Sequence, residues 1–330
     1  MRIDSLFTHM ISRWVGIDEA GYGPNLGPLV MAAAMAEGPG EREPDVWADL
    51  AATVARAGTR DGRLWVDDSK RIYRGGNGLD RLDAAALAAL DAAGLPAPTT
   101  LGAMLDALGC GGLIGAELDP WLDPGFDPVV PHPASRERVE QSRTLRPFDG
   151  APWRLVALHA VVVGPARFNA AIARSASGSK AEAHAEAFGH LMGVLWDAAA
   201  GAPTAVRADK HGGRHFYHDL LVRTLPDAWI DRGPEGPALS RYVARGDGRR
   251  LAIDLCPKAD AGDGLVALAS IVAKAVREHW MAAFNAHWLA LVPGLRPTAG
   301  YPADAARFRA AIGPHCRARG LDESRWWRRK

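Results

Sequence analysis

From Arg13 to Asp18 the chain reads RWVGID, a short apolar run that predicts a buried strand. Glycines follow at once, and GPLVMAAAMA beyond them reads as its antiparallel neighbour. Leu79 to Gly94, LDRLDAAALAALDAAG, has apolar residues at helical spacing and closes on a glycine, so it predicts a helix. Between Leu95 and Gly150 the periodicity is lost. DPWLDPGFDPVVPHP is crowded with proline there, which predicts an irregular insertion rather than a regular element. Patterning returns with the strand WRLVALHAVVVG and the long helix GSKAEAHAEAFGHLMGVLWDAAAG, with Ser179 and Glu182 in capping-box spacing. TAVRAD is the next strand, ending at Asp209, and RYVARGDGRRLAIDLC predicts a hairpin turning at Gly246-Asp247-Gly248. GLVALASIVAKAVREHWMAAFNAHW is the last long helix, followed by the Arg-rich end CRARGLDESRWWRRK. Strands mixed with helices, led by an antiparallel pair, place the chain in the α/β class with a mixed sheet.

Composition narrows this only a little. The 330 residues suit one large domain or two ordinary ones, and 48% hydrophobic residues are ample for a core. A net charge of +1 means that any nucleic-acid partner is held by local basic patches, not by an overall field. No run approaches the ~18 apolar residues of a membrane span, and MRIDSLFTHMISRW lacks the apolar core of a secretory signal. Cys110, Cys256 and Cys316 are odd in number and lack metal-type spacing, so inert thiols in a reducing cytoplasm are expected. Arginine outnumbers lysine 33 to six. Even so, Lys70, Lys180, Lys210, Lys258 and Lys274 all fall in or beside the segments that carry candidate chemistry.

The densest chemistry is DEAGYGPNLGP, where Asp18 and Glu19 end a strand and Gly21, Gly23 and Gly27 follow. A dinucleotide fingerprint needs G-x-G-x-x-G opening a helix. Here the third glycine is displaced, Pro24 and Pro28 interrupt, and two acids would face a pyrophosphate. A tight turn with solvated acids is the plain alternative. Paired carboxylates at a strand end suit Mg²⁺ or Mn²⁺, which take hard oxygen donors, and glycines let a substrate backbone come close.

This stretch resembles the N-terminal signature of the type 2 ribonucleases H, ribonuclease HII and HIII, which typically reads DEAGRGPxxGP. The resemblance continues in order. DDSK (Asp67 to Lys70) is similar to the family's DSK element, RFNAAIARS to the segment before its third acidic strand, and VRADKHGG to its VDG strand end. PKADAGDGLVALASIVAKAVRE resembles KGD followed by the AASIxAKVxRD helix, and AGYPADAARF resembles KGYPTxxH. The similarity spans most of Arg13 to Phe308, outside the proline-rich stretch, the segment between His211 and Arg250, and the basic tail.

The resemblance implies a ribonuclease H-like fold, a mixed five-stranded sheet flanked by helices with a helical C-terminal part. It implies a catalytic domain over 13–285 with insertions at about 95–150 and 211–250, and a helical extension and basic tail over 286–330. It implies four catalytic, metal-binding carboxylates, Asp18, Glu19, Asp209 and Asp260, holding two Mg²⁺ or Mn²⁺ ions. Asp260 is preferred to Asp263 because it lies ten residues before Ser270, the family's own offset. Around Asp209 the VDG pattern is altered. Substrate contacts are implied for Gly21, Tyr22, Gly23, Ser69, Lys70, Ser270, Lys274 and Tyr301.

The implied reaction is metal-dependent hydrolysis of the RNA strand in RNA–DNA hybrids, or of ribonucleotides embedded in duplex DNA. A non-catalytic hybrid-binding protein and a DNA nuclease of the same fold are the alternatives. Nothing points to a protein partner or a membrane, and a monomer is expected. Tyr22 replaces the signature's arginine, which implies a weaker preference for RNA–DNA junctions, with sugar sensing left to the glycine backbone and Tyr301.

Three features stand apart from this set. His211, His215 and His218 fit no common zinc spacing, and a surface helix start beside the site is expected. Ser270 and Lys274 lie one turn apart on a helix, where they could contact a phosphate or cap a helix. Arg317, Arg319, Arg325, Arg328, Arg329 and Lys330, with Trp326 and Trp327 among them, read either as a nucleic-acid grip or as a frayed end.

Overall fold

The structure, a computed structural model, describes residues 11–74, 78–110 and 127–329. Among the described residues there are nine strands: β1 (Ile11–Ala20), β2 (Leu29–Pro39), β3 (Val54–Ala55), β4 (Leu64–Trp65), β5 (Arg154–Val163), β6 (Thr204–Asp209), β7 (Trp229–Glu235), β8 (Ser240–Gly246) and β9 (Arg249–Cys256). Seven of them form one mixed sheet in the order β5-β2-β1-β6-β9-β8-β7, while β3 and β4 pair separately. The class is α/β with a mixed sheet and a helical C-terminal part, as the sequence predicts. The β5-β2-β1-β6-β9 stretch accounts for the five expected strands. The further two, β7 and β8, come from the 211–250 segment and extend the β9 edge.

β1, β6 and β9 run parallel, whereas β1–β2, β2–β5, β8–β9 and β7–β8 are antiparallel. Parallel strands finish at the same edge. The ends of β1, β6 and β9, at Ala20, Asp209 and Cys256, are therefore gathered together. The hairpin turns where the sequence places it, with Asp247 and Gly248 at φ 48° and 72°, the two left-handed positions of a type I′ turn.

Alternation along β1 builds a core on each side of the sheet. Trp14 and Ala20 join the layer under the helices Gly78–Ala92 and Gly264–Leu291, and Val15 and Ile17 join the layer under Ala181–Ala198. Gly16 faces the first of these layers. A Cβ there would lie 2.1 Å from the backbone of both Leu265 and Val266, so the long helix starts in direct backbone contact with β1.

The 95–150 segment is not irregular throughout, which corrects the expectation from its prolines. Leu101–Ala107 is a helix capped by Thr100, and Arg136–Leu145 is a helix that follows a 3-10 turn begun by Pro133. The prolines lie between these helices, in Asp119–Pro133, of which residues 119–126 fall outside the described residues. The second long helix begins at Ala181, and Ser179 Oγ accepts from Ala181 N at 3.2 Å. Cys110 and Cys316 are buried and Cys256 is half-buried; burial pushes the three thiols up, to about 12, about 11 and above the ordinary range respectively. Among the described residues no helix is long and apolar enough to cross a membrane.

Gly16→Ala is expected to cost about 2–3 kcal/mol, since the added carbon meets backbone and not a side chain that can turn away. An unchanged urea midpoint would show that β1 and the long helix can part without loss.

Candidate active site at the ends of β1 and β6

Asp18 is the penultimate carboxylate position of β1 and is buried on the face of the long helix. Its carboxylate is hydrogen-bonded by Ser270, whose hydroxyl lies 2.9 Å from that of Ser69. Ser69 and Ser270 are both buried, so they orient Asp18 from behind and do not stand open to a phosphate. Lys274, one turn on, pairs with Glu278 Oε1 at 2.6 Å and lies 4.6 Å from the Tyr73 ring centre.

Neighbouring strand residues face opposite ways, and Glu19 turns to the other layer. Its Oε2 is 3.3 Å from His184 Nε2, within ion-pair reach but out of hydrogen-bond alignment. The His184 ring lies 4.0 Å from the His211 ring, tilted by 50°, and meets Tyr22 edge-on at 5.3 Å. Lys180 Nζ sits 4.5 Å over the Tyr22 ring, so a cation borders this position although the residue itself carries none. His211 thus enters a buried stack and His218 lies against Arg232, and the three sequence-adjacent histidines do not converge. His218 does open a helix, His218–Thr224.

Asp209 ends β6. Its Oδ1 accepts from Lys210 N at 2.8 Å and Lys258 N at 2.7 Å, tying the strand to the turn that leads into Ala259–Gly262. Asp260 lies on that short helix. Asp263 has other work: it caps the long helix through Leu265 N and Val266 N and pairs with Arg207 at 2.8 Å.

Burial, then the charge of Glu19, raises the Asp18 carboxyl well above the ordinary range, and Asp260 adds to this. Burial also raises Asp209, with Glu19 contributing, and raises Asp260, with Asp68 and Asp209 contributing. Glu19 is pushed up by burial, but contact with His184 and the charge of Lys70 outweigh this and leave it lowered. The four acids therefore share one electrostatic field, with Lys70 at its edge. Among the described residues no three His, Cys, Asp or Glu side chains stand close enough to hold a metal ion as they are. The donor set itself, four hard oxygen ligands whose mutual repulsion a cation would relieve, fits a divalent ion.

The glycine loop beside the acids is locked from below. Gly21 has φ 88°, and a Cβ on it would meet Pro28 O at 2.4 Å and Arg277 Nε at 2.6 Å. Gly23 is open, with the Tyr301 ring 4.0 Å from its would-be Cβ, and Tyr301 is 46% exposed. The structure thus brings Gly21, Tyr22, Gly23, Lys70 and Tyr301 to the rim of the carboxylate group.

Sequence reasoning missed two residues that hold this loop. Arg277 is fully buried and donates to Leu26 O at 3.3 Å and Ala299 O at 2.9 Å. Arg328, also fully buried, donates from Nη2 to Gly21 O at 2.6 Å and from both Nε and Nη2 to Pro24 O, with the Nε bond at 3.0 Å. Burial, then the charge of Arg277, pulls its guanidinium down from the ordinary value. The tail is docked and not frayed over its described residues, while Arg317, Arg319, Arg325 and Arg329 remain exposed. Asn169 of RFNAAIARS donates to Ser324 O and Trp327 O, both at 2.8 Å, and Trp326 is buried. Lys330 lies outside the described residues. The signal available in the sequence was the tryptophan pair, whose apolar bulk at a chain end favours docking over solvation.

No family model matches the chain, and no curated protein does. Among solved structures, the ribonuclease HII of Archaeoglobus fulgidus in complex with PCNA aligns over 95% of this chain and 92% of its own, at 17% identity and a TM-score of 0.41. The ribonuclease H2 of Pyrococcus horikoshii aligns over 95% of this chain and 92% of its own, at 16% identity and a TM-score of 0.40. A Bst ribonuclease HIII in complex with Mn²⁺ aligns over 97% of this chain and 67% of its own, at 19% identity and a TM-score of 0.46. All three superpositions are loose.

Two outcomes follow from the site's electrostatics. The fold favours a protonated Asp18, so its contribution to stability is full below the unfolded value of about 3.9 and is lost as pH rises through the raised folded value. In EDTA at neutral pH, Asp18→Asn should therefore raise Tm by a few degrees, at roughly 2 °C per kcal/mol in a chain of this size. Equal melting of the two proteins across the whole pH range would refute the buried-charge account. Arg328→Met keeps the stem but leaves two loop carbonyls without a donor, for a loss of about 3 kcal/mol. Hydrogen exchange at the Gly21–Gly27 amides should quicken with it, and unchanged protection there would show that the loop holds itself.

Proposed function

We propose that the chain is a metal-dependent endoribonuclease similar to the type 2 ribonucleases H. It cuts the RNA strand of RNA–DNA hybrids, or ribonucleotides embedded in duplex DNA, and leaves 3′-hydroxyl and 5′-phosphate ends. The observation that carries this reading is that the parallel strands β1 and β6 bring Asp18, Glu19 and Asp209 to one sheet edge, where Lys258 N, two residues before Asp260, donates to Asp209 at 2.7 Å, and where Gly21–Gly23 and Tyr301 lie. These are the acids and the rim that the signature motifs name.

Asp18, Glu19, Asp209 and Asp260 would hold two Mg²⁺ or Mn²⁺ ions, which when bound lower the pKa of a water and neutralise charge on attacking and leaving oxygens. The remaining work falls to the chain's own groups. Ser270 fixes the Asp18 carboxylate and His184 fixes Glu19, each from its own side of β1. Lys70 brings a positive charge to the acid field, where a phosphodiester would otherwise be repelled. Gly21 and Gly23 keep side chains out of the path of the sugar, and the exposed Tyr301 ring offers it an apolar face.

A cleavage panel tests the reading with three duplexes: an RNA–DNA hybrid, a DNA duplex with one ribonucleotide, and all-DNA. Cutting of the first or second with Mg²⁺ or Mn²⁺, and none of the third, is expected. Cutting of all-DNA would favour a DNA nuclease, and binding without cutting a hybrid-binding protein. Asp260→Asn should lower kcat by roughly 100-fold or more, the scale of losing a group that acts on transition-state charge. Asp263→Asn should leave kcat close to wild type, because asparagine still caps a helix, and should cost at most about 1 kcal/mol for the half-exposed Arg207 pair. The reverse ranking of the two variants would move the fourth carboxylate to Asp263.

A further inference from the structure

The segment HGGRHFYH, residues 211–218, runs from the Asp209 strand end towards β7, and the nuclease reading leaves it unused. It is held tightly from below. Lys210 Nζ donates to Gly236 O at 2.8 Å and to Ser240 Oγ at 2.7 Å, and Ser240 Oγ donates to His215 O at 2.6 Å. Tyr217 is fully buried; its N–H donates to Tyr242 Oη at 2.8 Å, and its own hydroxyl accepts from His211 N at 3.0 Å and donates to Arg214 O at 3.2 Å. Between the pinned His215 and the buried Tyr217, Phe216 is turned out to solvent and is 71% exposed.

A lone exposed apolar residue on a protein surface is ordinary. Phe216 differs in its mounting and its neighbours. Its loop is fixed at four positions, so the ring is presented from a rigid base and loses little freedom on contact with a ligand. Arg214 stands beside it, with its guanidinium 5.8 Å from the Tyr217 ring centre and its charge felt at Tyr22. The path back to the acids is short: the Tyr217 ring is 5.1 Å from His211, His211 is 4.0 Å from His184, and His184 is 3.3 Å from Glu19. An apolar ring and a cation thus stand on a loop whose buried Tyr217 is joined through His211 and His184 to Glu19.

We propose that Phe216 and Arg214 form a second contact for the nucleic-acid duplex whose backbone enters the carboxylate site. Phe216 lies against sugar faces in a wide, shallow minor groove, and Arg214 meets a phosphate of the same strand. This rests on the nuclease reading and extends it by a substrate subsite that the signature motifs do not contain. The loop then sets how far the duplex is gripped beyond the cut position.

The test uses the full chain and a dye-labelled RNA–DNA hybrid, with binding followed by anisotropy in EDTA and cleavage kinetics followed with Mg²⁺. Phe216→Ala should weaken binding and raise KM roughly tenfold, the scale of partly burying a phenylalanine ring, with kcat close to wild type. Phe216→Tyr, which keeps the ring, should restore wild-type binding. Trp229→Ala, which removes the 74% exposed ring on β7, should change nothing. Arg214→Ala should make the slope of log affinity against log salt shallower by about 0.9, one duplex phosphate contact. Wild-type binding and KM in Phe216→Ala would overturn the proposal while leaving the nuclease reading intact. A wild-type chain that neither binds nor cuts any duplex would sink both. A dimer in sedimentation that Phe216→Ala dissolves would assign the ring to a second copy of the chain and overturn the proposal equally.

Discussion

A carboxylate taken out of water beside other carboxylates is the constraint to which the rest of this structure answers. Asp18 sits under the long helix with Glu19 next to it and Asp260 within range, and burial is the largest influence on it. Such a group is tolerated only where hydrogen bonds or cations offset the lost hydration. The offset here is built into the architecture. Gly16 admits the backbone of Leu265 and Val266, which brings the long helix close enough for Ser270 to reach Asp18. Ser69, arriving from a different part of the chain, stands behind Ser270. A wider residue at position 16 would move the helix away and leave the acid with neither partner.

The same logic governs the glycine loop, with the opposite sign. Gly21, Pro24 and Leu26 turn their carbonyl oxygens inward, and two buried guanidiniums meet them. Arg277 is shared with Glu278 at 3.4 Å, whereas among the described residues Arg328 meets carbonyls and no carboxylate, with Nη1 left over. Two fixed positive charges below the loop partly balance the acids at its rim. They also join the chain's last residues to its first strand, so that the end of the sequence is a structural part of the site.

How much of this the sequence disclosed follows the range of each interaction. β1, the long helices and the Asp247-Gly248 turn were legible because local pattern and local turn chemistry determine them. Asp263 has a local duty as helix cap, while the preference for Asp260 rests on a sequence offset. β8 was legible as the first strand of the predicted hairpin, whereas β7 was hidden because WIDRGPE has little apolar content and pairs only at the sheet edge. Helices within 95–150 were masked by prolines that lie between them. Arg328 was unreadable, since nothing in RWWRRK distinguishes a solvated arginine from one whose partners are 300 residues away. Ser69 and Ser270 were assigned to the site for their motif, but which way their hydroxyls face depends on the approach of the long helix to β1.

Two of the four acids are held by contacts of their own. Glu19 is drawn towards His184 on one side of β1, and Asp209 is held by Lys210 N and Lys258 N at the strand end. Each contact favours the charged form of its carboxylate and so offsets part of the repulsion among the acids. A divalent ion would have to compete with these contacts, since the lone pairs now facing His184 and the amides are those a cation would use. Its affinity there would be a difference between two sets of contacts and not the strength of one. His184 would act on that difference directly: it is buried, it faces Glu19, and its ring contacts run through His211 to Tyr217. The residue that borders Glu19 and the loop that carries Phe216 thus belong to one packed layer.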